Sequence, residues 1–413
     1  MNSPPNSTKK PRVVLLHPHC FSHRDMQFYV PLLDEFEIVA VTPRWQPNKR
    51  TYDGIPQAPL VSLDQVIGAI PLLQKSLDTL VRLRSENLYY FFGLEKLLAS
   101  AAIVECLETF HPYCWQALRG KGRFGYRLAF SCHENIAFAH ENLKIRRQIK
   151  QDAFHKGDAF FALCEQGRNS LILEGAPADR IFLSGMAIDT DLYSPGTPDS
   201  IALAPLGIDV EKPKSEPVVL FAGRMVWEKG IFDVIEAVGL LHHQNFPVQL
   251  LLAGDGPESA KVADRLQRMG ITNIVRRLGR VSQQQMVALY RYADACLVPS
   301  IPTAKWQEQF GCVLIEAMGC GCPVLATDSG AIREVTGGYA TLIPPAQHTY
   351  LAQSLRELLS DPQKRQTVAQ AAREWVVRQY ANSVNANRIR AVYRGMLSGE
   401  IAAETEQRKV VPA

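Results

Sequence analysis

The sequence predicts an α/β protein made of two units, each a parallel sheet covered by helices. Short runs rich in β-branched and aromatic residues alternate with longer stretches of helical periodicity along the whole chain. The series pauses once, between Tyr193 and Pro217, where Ser, Pro, Gly and charged residues take over, and then restarts. The chain has 413 residues, which at about 100 to 200 per domain asks for two or three cores.

In the first half the apolar runs predict strands at 13–16, 38–41, 126–131, 159–163 and 181–183, with helices at 66–83, 94–109 and 142–154. In the second half they predict strands at 218–222, 249–253, 274–276, 295–298, 324–326 and 341–343. The helices between these fall at 231–243, 259–269, 282–292 and 310–318. Everything after Thr349 reads as helix, ending in one over 383–397 whose Ile389, Val392, Tyr393 and Met396 recur at helical spacing and form a core stripe. The expected divisions are a tail at 1–12, a first domain at 13–195, a linker at 196–216, a second domain at 217–378, a final helix at 379–400 and a tail at 401–413.

Composition excludes several classes. Hydrophobic residues are 46% and charged residues 21%, an ordinary globular balance rather than a disordered one. With 45 basic and 41 acidic residues the net charge is +4, too near balance for a nucleic-acid binder. No run reaches the 18 or so apolar residues that span a bilayer; the stretch 97–107 is short and interrupted by Glu105. The first twelve residues lack the apolar core of a secretory signal. Nine cysteines, an odd number with Cys106 and Cys296 inside apolar runs, read as reduced core thiols and point to the cytoplasm. Cys320 and Cys322 lack two further ligands at matching spacing, so no metal is expected there.

Three segments carry chemistry. Gly223-Arg224-Met225-Val226-Trp227-Glu228-Lys229-Gly230 lies between a strand and a helix, where glycines turn the backbone and Arg224 and Lys229 bring positive charge to a helix N-terminus, as a diphosphate clamp requires. Glu308-Gln309-Phe310-Gly311-Cys312-Val313-Leu314-Ile315-Glu316 sets two carboxylates eight apart, Gly311 placing Glu308 in the loop and Glu316 on the helix, with backbone N–H groups open between them. Gly254-Asp255-Gly256-Pro257 is a tight strand-to-helix turn without the three-glycine dinucleotide fingerprint.

Taken in order with Leu278-Gly279, Pro299-Ser300 and Gly321-Cys322-Pro323-Val324, these segments resemble family 4 glycosyltransferases over about 218–345. The resemblance implies a GT-B fold: two Rossmann-like domains facing a central cleft, the last helix crossing back to the first domain. It implies that Arg224 and Lys229 hold the donor diphosphate, with Gly223 at the turn, Glu316 the ribose and Glu308 a donor-sugar hydroxyl. Gln309, Phe310, Gly311 and Cys312 would add donor contacts, and Leu278, Gly279 and Val281 would lie beside the base. His133 falls where the family commonly carries a histidine near the reaction centre, so the catalytic candidates are Arg224, Lys229, Glu308 and His133.

The implied activity is retaining transfer of a hexosyl group from a nucleotide-diphosphate sugar to a glycan, lipid or small-metabolite acceptor, with no metal and no cofactor. The alternatives are a nucleotide-sugar epimerase of the same fold and a non-catalytic nucleotide-sugar-binding protein. Where the family has a glycine-rich first turn, this chain has His17-Pro18-His19-Cys20-Phe21-Ser22-His23, and His17 and His19 are candidates to line the cleft. The Asp189/Asp191 pair reads as a turn cap rather than a metal ligand set. Between 119 and 150, Arg119, Lys121, Arg123, Arg127, Lys144, Arg146, Arg147 and Lys150 outnumber Glu134 and Glu141, which makes an anionic membrane surface a candidate partner at the inner face.

Overall fold

A computed structural model describes residues 9–18, 22–44, 54–69 and 89–400. His19 and Cys20, most of the expected helix 66–83, and the tail 401–413 lie outside these residues. The chain forms two compact units, one running to Gly185 and taking in the final helix Asn382–Ser398, the other spanning Met186–Ala381.

The first unit is a seven-stranded parallel sheet of β1 (Arg12–Leu16), β2 (Glu37–Pro43), β3 (Gln57–Leu60), β4 (Ile103–Leu107), β5 (Arg127–Cys132), β6 (Ala159–Ala162) and β7 (Ile181–Leu183), in the order β3-β2-β1-β4-β5-β6-β7. The order reverses between β1 and β4, so the loops leaving those strands diverge and open a crevice at their carboxyl ends. Helices α1 (Pro112–Phe124) and α2 (Lys144–Lys156) cover it. Pro112 starts α1, where the missing N–H costs nothing, and Gly125 ends it at φ +77°.

β4 corrects the helix expected over 94–109. Ile103, Val104, Cys106 and Leu107 are buried along with Glu105, so the run is a strand covered on both faces, in which apolar periodicity is lost. Glu105 is fully buried yet not solitary. It accepts hydrogen bonds from Tyr29, Ser131 (2.5 Å) and Tyr393 and pairs with His17 Nε2 at 3.3 Å. Burial pushes this carboxyl upward, but His17 and the hydroxyl donors outweigh it and hold it below its usual value.

The final helix packs on the segment Gln27–Leu32, as its apolar stripe predicts. Tyr393 is buried with its ring on Phe36 and Phe161, Arg390 donates to Pro31 O (2.6 Å), and Arg394 grips Glu35 (2.7 Å).

The second unit is a six-stranded parallel sheet of β8 (Val218–Ala222), β9 (Gln249–Ala253), β10 (Val275–Gly279), β11 (Ala295–Val298), β12 (Val324–Thr327) and β13 (Thr341–Ile343), ordered β10-β9-β8-β11-β12-β13. Leu220, Leu250, Leu252 and Leu297 are fully buried, each stabilising the fold by about 1.5–3 kcal/mol relative to exposure. Helices α3 (Ile231–His243), α4 (Gln283–Tyr292) and α5 (Cys312–Gly319) follow β8, β10 and β11. The order reverses between β8 and β11, placing this unit's crevice there.

The stretch 196–216 is not a free linker, and the division falls at Gly185 rather than after Pro195. Asp199 caps a short helix, Ser200–Leu203, whose fully buried Leu203 anchors it beside α4. Arg291 on α4 reaches back to Ser194 O (2.8 Å), and Asp189 accepts from the amides of Asp191 (2.9 Å) and Leu192 (3.1 Å), so that aspartate caps a turn.

Candidate functional site

The loops leaving β8 and β11 at the second unit's switch point carry most of the residues singled out from sequence. They are locked together by backbone. Ile301 N donates to Glu228 O (2.8 Å), and Gly230, in the left-handed region at φ +71°, lies so close to Pro299 that a Cβ would sit 1.9 Å from its carbonyl oxygen. Gly254 presses on Gly223 in the same way, its would-be Cβ 1.8 Å from Gly223 O. Gly230 and Gly254, one from each motif, are therefore required by close backbone approach.

On this frame Lys229 Nζ pairs with Glu308 Oε2 at 2.7 Å and lies 4.8 Å from the Trp306 ring centre. Glu308 is 7% exposed and takes a second hydrogen bond from Ser300 Oγ (2.8 Å), while Ala331 N donates to its carbonyl (2.9 Å). Arg224 is exposed at the end of β8. Gly311, at φ +81°, begins α5, and no side chain caps that end. Phe310 is buried with its ring edge-on to Tyr380 at 5.4 Å, so this residue offers its backbone rather than its side chain. Cys312 sits in the first turn, partly exposed.

Glu316 is 1% exposed on α5 and accepts a hydrogen bond from Tyr290 on α4 (2.9 Å). Leu278 and Gly279 end β10, where Gly254 N donates to Gly279 O (2.7 Å), and partly exposed Val281 follows. Burial pushes the Cys320 thiol up to about 12 and Cys322 well above its usual value, the opposite of what a metal thiolate needs. Tyr290 and Trp306 escaped the sequence reading because neither stands inside a motif; only their aromatic character marks them.

In the first unit the corresponding crevice gathers His17 at the end of β1, Glu108 after β4 and His133 after β5. His17 is 4% exposed and turned onto Glu105, so it is a core residue rather than a free cleft ligand. Burial, helped by the neighbouring His17, pushes His133 down to about 4 and leaves it neutral at pH 7. Glu108 went unnoticed because its strand read as helix. Lys150, counted in the basic surface patch, is 4% exposed and paired with Glu174 (2.6 Å), so it serves the core. Lys121 and Arg127 are likewise held by Asp158, at 2.6 and 3.3 Å, whereas Lys144 and Arg147 remain on the surface.

Comparison with known proteins agrees with this architecture. The crystal structure of Anabaena Alr3699/HepE in complex with UDP and glucose matches with a TM-score of 0.70 over 92% of this chain and 98% of that one, at 18% identity. A glycosyltransferase from Rickettsia africae ESF-5 matches with a TM-score of 0.71 over 94% and 99%, at 16% identity. These likenesses define the fold class as GT-B, built from two Rossmann-like units. Residues 208–375, within the second unit, match the family described as Glycosyl transferases group 1.

Among curated relatives, the phosphatidyl-myo-inositol mannosyltransferase of Mycobacterium leprae is 33% identical over 52% of this chain and 58% of its own length. The glycogen synthase of Mycobacterium tuberculosis strain CDC 1551 is 28% identical over 51% and 52%. The chain thus spans about half the length of the curated relatives it matches. Among the described residues no helix is long and apolar enough to cross a membrane.

Proposed function

We propose that this protein is a retaining glycosyltransferase that moves a hexosyl group from a nucleotide-diphosphate sugar to a hydroxyl acceptor. The observation that carries the reading is the Lys229–Glu308–Ser300 cluster at the β8/β11 switch point, beside Arg224 and the uncapped start of α5. A partly exposed ion pair is worth only about 0–1 kcal/mol, so a diphosphate with at least two negative charges can draw Lys229 away from Glu308. The carboxylate then accepts from a sugar hydroxyl while Ser300 continues to align it.

In the reaction the anomeric carbon–oxygen bond to the diphosphate breaks and a bond to the acceptor oxygen forms on the same face. The acceptor proton leaves on the departing phosphate oxygen. Arg224, Lys229 and the N–H groups at the start of α5 stabilise the charge that grows on the leaving group, which is the work a divalent ion would otherwise do. In this reading Glu316, which accepts a hydrogen bond from Tyr290, takes the ribose, and neutral His133 hydrogen-bonds without adding a competing charge.

The test is turnover with a panel of uridine, guanosine and adenosine diphosphate hexoses against polyol, lipid and glycan acceptors, with the anomeric configuration of the product read by NMR. The expected product retains the donor's configuration, and Arg224→Ala lowers the rate by about 10²-fold or more in a folded chain. An inverted product overturns retention. A rearranged sugar nucleotide formed from donor alone would establish the epimerase instead.

A further inference from the structure

The first unit's switch point holds a carboxylate with no role in the reading above. Glu108 follows β4 with φ +60°, a left-handed conformation that is uncommon and costly for a glutamate. Something must hold it there, and its contacts reach β5, α1 and the loop that leaves β5. Its N–H donates to Ser131 O (2.8 Å), its carbonyl accepts from the Cys114 thiol (3.3 Å), and its Oε1 accepts from both the His133 N–H (2.8 Å) and the Glu134 N–H (3.2 Å). One residue therefore pins the main chain where β5 turns into the loop that bears His133.

That loop has its own second clamp. Glu134 accepts from the amides of Asn135 (2.9 Å) and Ile136 (3.1 Å) and pairs with His140 at 3.2 Å, while His140 stacks on Phe110 at 4.7 Å. Glu134 thus shapes the loop after His133, and Glu108 fixes where the loop starts.

We propose that Glu108 is a positioning residue for the transfer reaction, setting the main chain of His133 through the paired acceptance of the His133 and Glu134 amides. This rests on the reading that His133 faces the reacting sugar. The groups facing Glu108 are Glu134 and His140 on the loop, Lys150 on α2, Cys114 on α1 and Cys132 and His133 on β5 and its exit. Burial, with Glu134 nearby, pushes Glu108 up to about 7, against the His133 amide, His140 and Lys150. Ionisation strengthens hydrogen bonds from N–H to a carboxylate, so the clamp tightens as pH rises through that value.

The experiment compares wild type with Glu108→Gln, Glu108→Ala and His133→Ala in the full chain, using the donor and acceptor found active. In wild type the His133 amide resonance shifts with a midpoint near pH 7, and kcat rises over the same interval. In Glu108→Gln, which keeps an acceptor oxygen and the side-chain volume, both titrations vanish and kcat at pH 8 falls on the order of 10-fold. The KM for the donor, held by the other unit, is unchanged.

If the His133 amide shift shows no titration, or Glu108→Gln keeps the wild-type shift and rate profiles, the proposal is overturned. Activity intact in His133→Ala would instead overturn the reading on which it rests. The amide measurement needs no turnover, so it separates the two failures. Should Glu108→Ala fail to fold, Glu108→Gln alone decides.

Discussion

At the scale of single residues, burial explains more of the site than sequence spacing does. Arg224, Lys229, Glu308 and Glu316 could be picked out because their motifs stand between a strand and a helix. That Lys229 would pair with Glu308, and that Ser300 would brace it, could not, since the first pair, 79 positions apart, meets only through the sheet order and the second only through the fold of the loop after β11. His133 was legible as a loop histidine and nothing more; its neutrality comes from its surroundings.

That neutrality makes a stability prediction. A histidine moved from 6.5 to about 4 on folding contributes stability fully present above 6.5 and lost as pH falls toward 4. Urea unfolding from pH 8 to 4 should show wild type losing stability relative to His133→Gln between 6.5 and 4. A constant difference between the two across that range would show that the environment does not favour the neutral ring.

At the scale of elements, the left-handed glycines of the second unit divide by what surrounds them. Gly230 and Gly270 are both left-handed, at φ +71° and +67°, so alanine at either costs roughly 1–3 kcal/mol in backbone strain. At Gly270 nothing lies within 4 Å of an added Cβ, whereas at Gly230 it would meet Pro299 O. Chemical denaturation should therefore find Gly230→Ala clearly less stable than Gly270→Ala, with the loss reaching donor binding as well. Equal midpoints would mean that the β8 and β11 loops are not locked as described.

Elements also mark where sequence reading stopped. β8, β9 and β11 lie close to where their apolar runs place them, because each is short, largely buried and followed by Gly or Pro. β4 read as helix because a strand buried on both faces shows no alternation, and Glu105 within it gave no sign of its burial. It is instead the buried acceptor for His17, Tyr29, Ser131 and Tyr393, all from distant parts of the chain. A carboxylate inside a strand signals such a network only once its partners are known.

At the scale of the whole molecule, two sheets of seven and six parallel strands each reverse order once, and each reversal collects chemistry at the carboxyl ends of its strands. The second unit's collection combines Arg224 and Lys229 with Glu308 and Glu316 inside the segment that matches group 1 glycosyl transferases; the first unit's is a histidine with carboxylates. The final helix completes the first unit through Tyr393, Arg390 and Arg394 although the whole second unit intervenes in sequence.

The proposed activity requires the second unit to bind a nucleotide diphosphate through Arg224 and Lys229. Calorimetric titration of the full chain with uridine, guanosine and adenosine diphosphates tests this directly. Saturable binding of at least one of them is expected, weakened about tenfold or more, some 1.4 kcal/mol, in folded Lys229→Ala. No binding to wild type, or equal binding by Lys229→Ala and Arg224→Ala, would contradict it.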